Sequence, residues 1–274
     1  MLLFPPVGVN ELRLKARLEG KTVLITGASF GIGESLAYQL AATGVHLILV
    51  ARTQDKLEEV KARIEALGGK ATVFTADMSR SDDVLRLTEF LSRLQGGVDI
   101  VVNNAGKSIR RPVMESLDRL HDFGRTMAIN YSGPVQLILA LIPGLLKNKG
   151  QIINVSSVSV LLAPAPKWAA YQASKSAFDQ WFRCVSPELN AGGVATTTVY
   201  LPLVRTRMIA PTEAYNKMPA MNPGHVAAII GRAMINRKRR HAPWWLFFGQ
   251  LGSLLFRGVL ESMNIWFLNR KQTL

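Results

Sequence analysis

Short apolar runs alternate along the chain with stretches in which apolar residues recur every three or four positions. The short runs are rich in Val, Ile, Leu and Thr and are bounded by glycine or polar residues, a pattern typical of buried strands. The predicted strands are Lys21–Thr26, His46–Ala51, Ala71–Thr75, Val98–Val102, Gln151–Val155 and Thr196–Tyr200. The predicted helices are 34–43, 53–67, 81–95, 125–146, a segment around Tyr171, and 223–236. Strands that alternate with helices predict an α/β fold with a parallel sheet covered on both faces.

The alternating pattern occupies residues 21–236, and we predict one domain there. Before it, Asn10 can cap a short helix, so residues 1–20 are predicted to form an N-terminal helical extension. After it, residues 237–274 form a basic and aromatic tail. The start of the chain, Met1–Gly8, lacks basic residues and a small-residue cleavage site, so we do not interpret it as a signal peptide.

A glycine-rich turn joins the first strand to the helix that follows it. The turn reads Gly27-Ala-Ser-Phe-Gly31-Ile-Gly33 and begins directly after Thr26. Strand, glycine turn and helix in this order are the context that a Rossmann-type dinucleotide site requires. The glycines allow the backbone to approach a pyrophosphate, and the helix N-terminus offers unpaired amides. A tight turn without a ligand is the alternative, which this context disfavours.

The end of the second strand bears on the choice of cofactor. An enzyme that uses NAD places an acidic residue about 20 residues past the glycines, on the ribose 2′-hydroxyl. Arg52 and Thr53 stand at that position. The fork of a guanidinium suits a 2′-phosphate, which favours NADP(H) over NAD(H). A solvated arginine at a helix start is the alternative. Asp77, directly beyond the third strand, can reach the adenine edge.

Small and polar residues also follow the fourth and fifth strands. Asn103-Asn104-Ala105-Gly106 follows the fourth strand, and Ser157 follows the fifth. Ligands of parallel sheets lie outside the carboxyl ends of the strands, so we expect both segments beside the glycine turn. Asn130 lies in an apolar part of the predicted helix 125–146, where a polar side chain needs a partner.

Tyr171 and Lys175 are four residues apart on a predicted helix, which places their Cβ atoms about 6 Å apart on one face. An ammonium at about 5 Å, with an effective dielectric near 20, favours the phenolate by about 3 kcal/mol and lowers the tyrosine pKa by about two units. The pair is therefore suited to proton transfer near neutral pH, although this spacing also arises by chance.

Composition and charge exclude several classes of protein. The 274 residues are 48% hydrophobic and 19% charged, which excludes disorder. The single Cys184 excludes a disulfide framework and suits a reducing cytoplasm. The net charge is +14, and residues 232–274 hold eight Lys and Arg against one acidic residue. This excess favours an anionic membrane as partner over nucleic acid, because no nucleic-acid-binding motif accompanies it. We predict no metal site, because the four histidines have no ligand spacing: His46, His121, His225 and His241.

Together these motifs resemble the short-chain dehydrogenase/reductase family. The resemblance covers residues 20–235, with TGxxxGIG at 26–33, NNAG at 103–106, asparagine at 130, serine at 157 and YxxxK at 171–175. It implies that Tyr171 is the proton donor and that Ser157 bonds the substrate oxygen. It implies that Lys175 contacts the nicotinamide ribose and lowers the tyrosine pKa, and that Asn130 belongs to a water-linked proton relay. It also implies a homodimer or homotetramer that pairs helices 125–146 and 171–190.

The resemblance also implies a set of cofactor contacts. One departure lies after the sixth strand, where the family commonly has Pro-Gly and this chain has Pro202-Leu203. Thr206 still falls where the family's threonine contacts the carboxamide. The expected contacts are Gly27, Ser29, Phe30, Gly31, Ile32, Gly33, Arg52, Asp77, Met78, Asn104, Ala105, Gly106, Tyr171, Lys175, Pro202 and Thr206.

Two further stretches, 103–127 and 200–215, are similar to bacterial short-chain-type fatty acyl-CoA reductases. That resemblance implies NADPH-dependent reduction of a long-chain acyl thioester to an aldehyde, with Tyr171 protonating the oxygen and CoA leaving. A ketone reductase remains an alternative, for a 3-ketoacyl, ketosphinganine, steroid or retinoid substrate. A non-catalytic NADP(H)-binding protein at a membrane is a second alternative. If the substrate is an acyl-CoA, we expect five basic residues to contact the CoA phosphates: Lys107, Arg110, Arg111, Arg205 and Arg207.

The last part of the chain predicts a lid and a surface element. Thr212–Met221 is rich in Met and Pro, which suits a mobile lid over an apolar substrate. Residues 237–268 combine basic residues with Trp, Phe and Leu, which fits an interfacial helix on an anionic membrane. An apolar tail packed on the domain or on a second subunit is an equal alternative. A spanning helix is less favoured, because Gly249, Gln250, Arg257 and Glu261 interrupt the run, and a nucleic-acid site is less favoured still.

Overall fold

The computed structural model describes residues 3–210, 212, 215 and 217–272. Its strands are β1 Thr22–Thr26, β2 His46–Ala51, β3 Lys70–Thr75, β4 Ile100–Asn103, β5 Gln151–Ser157, β6 Ala195–Leu201 and β7 Arg240–His241. They form one parallel sheet in the order β3-β2-β1-β4-β5-β6-β7. All predicted strands are present with shifts of one or two residues at their ends. β7, which was not predicted, is two residues long and leaves no periodicity to read.

Helices cover both faces of this sheet. The helices are α1 Glu11–Leu18, α2 Gly31–Leu40, α3 Gln54–Ala66, α4 Ser81–Ser92, α5 Leu120–Met127, α6 Gly133–Lys147, α7 Ala169–Ala191, α8 Pro223–Asn236, α9 Leu246–Leu255 and α10 Arg257–Gln272. One core lies under α1, α2, α3 and α8, and a second core lies under α4, α6 and α7. Alternate residues of β1 reach opposite sides, since Val23 and Ile25 join the first core and Leu24 joins the second. The predicted Rossmann-type doubly wound fold is confirmed.

The N-terminal helix is part of the first core. Asn10 caps α1, because its side chain accepts a hydrogen bond from the amide of Arg13 at 2.9 Å. Leu14 and Leu18 of α1 are buried among residues of α8. The division into segments 1–20, 21–236 and 237–274 stays a prediction.

The helix predicted at 125–146 begins earlier and contains an irregular turn. α5 and α6 are joined by a π-helical turn at Ala128–Ser132, so the helical stretch runs over Leu120–Lys147. A π turn bonds residues five apart and changes the direction of its side chains. Asn130 lies in this turn and is buried. The sequence pattern does not reveal the turn, because the apolar spacing resumes on either side of it.

The stretch Leu120–Lys147 is also long and apolar enough to cross a membrane by length and composition. Its apolar residues have another use in this structure, since Leu137, Ile138 and Leu145 are fully buried in the second core. The packing of α6 against the sheet and α4 therefore accounts for the composition.

The tail begins inside the domain and then leaves it. β7 pairs with β6, and the guanidinium of Arg240 lies 5.2 Å from the ring of Tyr200. α9 buries Leu246, but Phe247 and Phe248 are exposed. α9 has 10 residues and α10 has 16, so each is shorter than the ~20 residues of a spanning helix.

The start of α6 provides a test of how tightly this helix is packed. A Cβ atom on Gly133 would overlap the carbonyl oxygen of Met78, whereas a Cβ on Gly144 of the same helix would meet nothing within 4 Å. We expect Gly133→Ala to lower the free energy of unfolding by about 2 kcal/mol or more, because backbone must move. Gly144→Ala should raise it by about 0.5–1 kcal/mol. Denaturant unfolding of both variants checks this, and equal effects would contradict it.

Candidate active site

The glycine turn between β1 and α2 leaves no room for side chains. Gly27 and Gly31 have φ angles of +67° and +63°, which favour glycine. A Cβ on Gly27 would lie 3.0 Å from the Cα of Ala105, and one on Gly33 would overlap the carbonyl oxygen of Gly27. The turn therefore packs backbone against backbone at the carboxyl ends of β1 and β4. This cradle fits the pyrophosphate of a dinucleotide.

The other residues of the turn have separate surroundings. Ser29 is buried, and Ile32 packs against the first core. Phe30 precedes α2, and the guanidinium of Arg207 lies 4.1 Å from the centre of its ring. Phe30 stands at the N-cap position of α2, and its side chain accepts no hydrogen bond from the helix. The first amides of α2 are therefore open to an anion.

Thr26 and Asn104 hold the ends of β1 and β4 together. The hydroxyl oxygen of Thr26 accepts from the amides of Asn104 and Ala105, both at 3.0 Å. The Asn104 amide group donates to the carbonyl oxygens of Thr26 and Gly27 at 2.9 and 3.2 Å. Thr26 is not among the site residues predicted from the sequence. Its signal is a buried hydroxyl placed directly before the first glycine.

Arg52 lies beyond the end of β2, and its exposed side chain is accessible to an anion. Its guanidinium is 3.8 Å from a carboxylate oxygen of Asp77, and its side chain is 67% exposed. Asp77 is held by Ser79, whose amide and hydroxyl donate to one carboxylate oxygen at 2.9 and 2.7 Å. The two residues thus form one polar edge beside the glycine turn. Met78, predicted as a cofactor contact, is buried under Gly133.

Asn130 joins the loop after β4 to α7. Its amide group donates to the carbonyl of Lys107 and to the hydroxyl of Ser174, each at 2.9 Å. Its oxygen accepts from the amide of Lys107, also at 2.9 Å. Both donors are thus taken by protein groups, so Asn130 positions the loop, and its part in a proton relay stays a prediction. Ser174 is a contact that the sequence analysis missed.

Lys175 is a largely buried cation of the site. Its ammonium donates to the carbonyl oxygen of Val155 at 3.3 Å, and a Cβ on Gly106 would lie 3.4 Å from it. Burial lowers the pKa of Lys175 to about 8, and the carboxylate of Asp179 partly opposes this shift. Lys175 therefore carries most of its charge at neutral pH and begins to lose it just above.

Tyr171 and Ser157 form a hydrogen-bonded pair. Burial raises the pKa of Tyr171, and a hydrogen bond with the Ser157 hydroxyl partly offsets this. The hydroxyl oxygen of Ser157 also accepts from the amide and the hydroxyl of Ser159 at 3.2 and 2.9 Å. The prediction that Lys175 lowers the pKa of Tyr171 is wrong for this structure. The lysine points to Val155, and burial outweighs attraction at a distance.

The segment after β6 returns to the glycine turn. The Thr206 methyl carbon lies 3.0 Å from the position of a Cβ on Gly31. Pro202 follows β6 directly, and the amide of Met221 donates to the carbonyl of Leu203 at 2.8 Å. The backbone pairing between Leu203 and Met221 shows how the chain closes this loop without the family's glycine.

The predicted lid at 212–221 is described only in part, since residues 213, 214 and 216 lie outside the described residues. Tyr215 stacks on Trp168, and Trp168 contacts Tyr171 edge-on, both with ring centres 5.8 Å apart. Tyr215 of this segment is thus linked to Tyr171 through the ring of Trp168.

The basic residues expected at CoA phosphates divide into two groups. Arg111 is ion-paired with Asp122, which Arg119 also contacts at 3.0 Å, and these cations lower the pKa of Asp122 to about 2. Arg207 is stacked on Phe30. Arg111 and Arg207 therefore already have protein partners, while Arg110 and Arg205 are exposed. Lys107 is partly buried, which lowers its pKa.

Comparison with known proteins agrees with this geometry. The family model described as short chain dehydrogenase matches residues 21–217. A protein named fatty acyl-CoA reductase from Acinetobacter baylyi is 46% identical over 93% of this chain and 85% of its own length. A protein of the same name from Mycobacterium tuberculosis is 43% identical over 82% of this chain and 77% of its own length.

Solved structures of the same fold superpose well. A short-chain dehydrogenase from Sphingobium yanoikuyae in complex with NADPH has a TM-score of 0.75 at 25% identity, over 89% of this chain and 94% of its own. A metagenomic short-chain oxidoreductase in complex with NADP has a TM-score of 0.72 at 28% identity, over 83% and 99% of the two chains. The glycine turn, the Thr26–Asn104 bonds and the Ser157–Tyr171–Lys175 group are thus accounted for together: the chain belongs to the short-chain dehydrogenase family of oxidoreductases.

Proposed function

We propose that this protein is an NADP(H)-dependent reductase that converts a long-chain fatty acyl-CoA to an aldehyde and free CoA. The observation that carries the proposal is the bonded pair of Ser157 and Tyr171 beside the buried cation of Lys175, next to an open glycine cradle. The acyl substrate is supported by two relatives named fatty acyl-CoA reductase. The exposed guanidinium of Arg52 and the NADP(H)-bound relatives support the cofactor.

The catalytic residues have distinct tasks in this proposal. NADP(H), when bound in the cradle, supplies a hydride to the carbonyl carbon. Tyr171 donates its phenolic proton to the carbonyl oxygen, which the Ser157 hydroxyl orients. Burial keeps the phenol protonated at neutral pH, the state that a proton donor needs, and the hydrogen bond with Ser157 favours the phenolate left behind. We assign the ammonium of Lys175, which bonds the carbonyl of Val155, to the nicotinamide ribose. The carbon–sulfur bond then breaks as the new hydroxyl gives up its proton to the departing sulfur, so that CoA leaves as the thiol and the oxygen becomes the aldehyde carbonyl.

The substrate side of the pair is apolar, as a long acyl chain requires. Residues 158–168, between β5 and α7, read VSVLLAPAPKW and end at Trp168 beside Tyr171. Burial raises the pKa of Tyr215, and the exposed Arg110 lies near enough to oppose this shift in part. We assign Arg110 and Arg205 to CoA phosphates, since Arg111 is held by Asp122.

We further propose that the protein is a cytoplasmic homodimer or homotetramer with a peripheral membrane contact through residues 237–268. Leu139 and Leu146 of α6 are 54% and 39% exposed, which leaves an apolar face for pairing with a second copy. The exposed aromatic residues of α9 and α10 supply the face toward lipid.

The substrate proposal is tested by NADPH consumption with palmitoyl-CoA and with a 3-ketoacyl thioester, while free CoA is measured. We expect NADPH loss with equal CoA release for palmitoyl-CoA. Tyr171→Phe should reduce that rate by about 100-fold or more, because the proton donor is lost, while NADPH still binds. Consumption only with the 3-ketoacyl thioester, without CoA release, would instead support the ketone reductase.

Arg52 is expected to select NADPH over NADH. Arg52→Asp removes the charge-assisted bond to the 2′-phosphate and adds a repulsive charge, so the ratio of kcat/KM for NADPH to that for NADH should fall by about 10- to 100-fold. Arg93→Asp, an exposed arginine at the end of α4, is the matched control and should leave the ratio unchanged. The prediction fails if both variants keep the wild-type ratio.

The buried charge of Lys175 should cost stability. Its pKa is about 8 in the folded protein and 10.5 in the unfolded chain. Between these two pH values the unfolded chain binds more protons than the folded protein, so the free energy of unfolding of the wild type should rise with pH there. At neutral pH, Lys175→Met should unfold with a free energy higher by about 1–2 kcal/mol, less than the full shift implies because the side chain keeps some exposed surface.

This advantage of Lys175→Met should disappear as the pH approaches 10.5. Lys15→Met, on the exposed side of α1, provides the control and should show no such dependence. Denaturant unfolding across the pH range measures both, and a pH-independent difference between Lys175→Met and wild type would refute the assignment.

A further inference from the structure

The two tail helices carry a large unpacked apolar surface. We call it the tail surface; it includes Phe247, Phe248, Leu254, Phe256, Trp266 and Phe267. Phe247 is 67% exposed and Leu254 is 77% exposed, although both lie inside or at the start of a regular helix. A soluble monomer rarely exposes contiguous large apolar side chains in this way, so a partner for the surface is expected.

Cations border the tail surface. Lys238 and Arg239 precede it and are exposed, and neither has an ion-pair partner among the described residues. At its far end the guanidinium of Arg270 lies 3.9 Å from the centre of the Trp266 ring. The acidic residue of this region, Glu261, is already bonded to Arg257 at 2.9 Å. The border is therefore positive on both sides of an apolar centre.

The tail surface is attached to the substrate side of the catalytic centre. The hydroxyl oxygen of Ser253 in α9 accepts a hydrogen bond from the amide of Ala163 at 3.0 Å. Gly249 packs so closely that a Cβ there would lie 2.9 Å from the side chain of Leu162. Leu162 and Ala163 belong to the segment 158–168 that begins directly after Ser157. α9 thus forms an outer wall of the segment that we assign to the acyl chain.

That segment is tied in turn to the catalytic helix. The side chain of Gln172 donates to the carbonyl of Ser159 at 3.1 Å and accepts from the amide of Ala165 at 2.8 Å. Gln172 is the neighbour of Tyr171 on α7. A continuous series of contacts therefore leads from α9 through the segment to the proton donor.

We propose that the tail surface docks on an anionic lipid membrane and that a long acyl substrate reaches Ser157 and Tyr171 from the lipid, past α9. The route for the substrate rests on the proposed reductase function, whereas the docking does not. Phe and Trp side chains enter the region between headgroups and acyl chains, and the bordering Lys and Arg meet anionic headgroups.

Charge decides between a membrane and a second copy of the chain. A self-contact through the tail surface would bring two positive borders together and would repel. An anionic lipid surface complements the same borders and has room for every apolar side chain between them. The acyl chain of the proposed substrate is also a lipid, so the same surface would provide the partner and the substrate.

Docking is tested on the full chain with sedimented vesicles of phosphatidylcholine, with and without phosphatidylglycerol. We expect the wild type to bind the vesicles that contain phosphatidylglycerol and to detach at high salt. The variant Phe256→Gln/Trp266→Gln/Phe267→Gln should bind at least about tenfold more weakly. The matched control, Leu12→Gln/Leu67→Gln/Leu85→Gln, removes exposed apolar side chains elsewhere and should bind as the wild type does.

Charge is tested with Lys238→Gln/Arg239→Gln, which should weaken binding only to the anionic vesicles. Analytical ultracentrifugation of the wild type and the tail variant measures whether the tail surface instead joins two copies of the chain. If the wild type does not bind vesicles and the tail variant alone loses an oligomeric state, a second copy covers the surface and the proposal is overturned.

The substrate route is tested by reductase kinetics on the same proteins. With a short, water-soluble acyl-CoA, the tail variant should match the wild type, because the catalytic residues are unchanged. With a long-chain acyl-CoA presented in anionic vesicles, the wild type should exceed the tail variant by about tenfold in kcat/KM. Equal values for a vesicle-bound wild type would overturn the route. Failure of the reductase function is distinct, since it abolishes turnover of both substrates while vesicle binding persists.

Discussion

The site depends on the close approach of β1 and β4 at their carboxyl ends. The strand order turns back at this pair, because β2 and β3 lie on one side of β1 and β5 to β7 lie beyond β4. A crevice opens at such a switch point in a parallel sheet. Thr26 and Asn104 bridge it with hydrogen bonds of 2.9 to 3.2 Å. Glycines stand where a side chain would collide with the neighbouring backbone. A cofactor cradle results from backbone packing that no larger residue permits.

A second set of bonds aligns the chemistry with that crevice. The π turn in the long helix directs Asn130 inward, where it holds Lys107 by two bonds and Ser174 by one. Lys175, one residue further along α7, is thereby close to Gly106 and bonds the carbonyl of Val155. Burial disfavours the charged form of both groups, so it lowers the pKa of this lysine and raises the pKa of Tyr171. The phenol stays protonated, and the ammonium can lose its proton just above neutrality.

The two helices of the tail expose most of their large apolar side chains instead of burying them in a core. α8 ends the packed domain, and β7 adds one short pairing to its edge. Beyond it, α9 contacts the segment after Ser157, while most of its apolar residues and those of α10 face outward. Because segment 158–168 also contacts α7, two contacts lead from α9 to Gln172, the neighbour of Tyr171.

Local residue patterns predicted the fold class, which the structure confirms, and named the residues of the candidate site, whose roles stay predictions. Strand and helix periods are local properties, and the motifs around Gly27, Asn104, Ser157 and Tyr171 name residue types that few other roles require. Tertiary structure decided the features that depend on distant neighbours. It showed that Thr26 and Ser174 take part, that Arg111 is held by Asp122, and that the Lys175 ammonium turns to Val155. The tyrosine pKa also belongs there, because spacing along a helix gives a distance between two side chains but not the burial that outweighs their attraction.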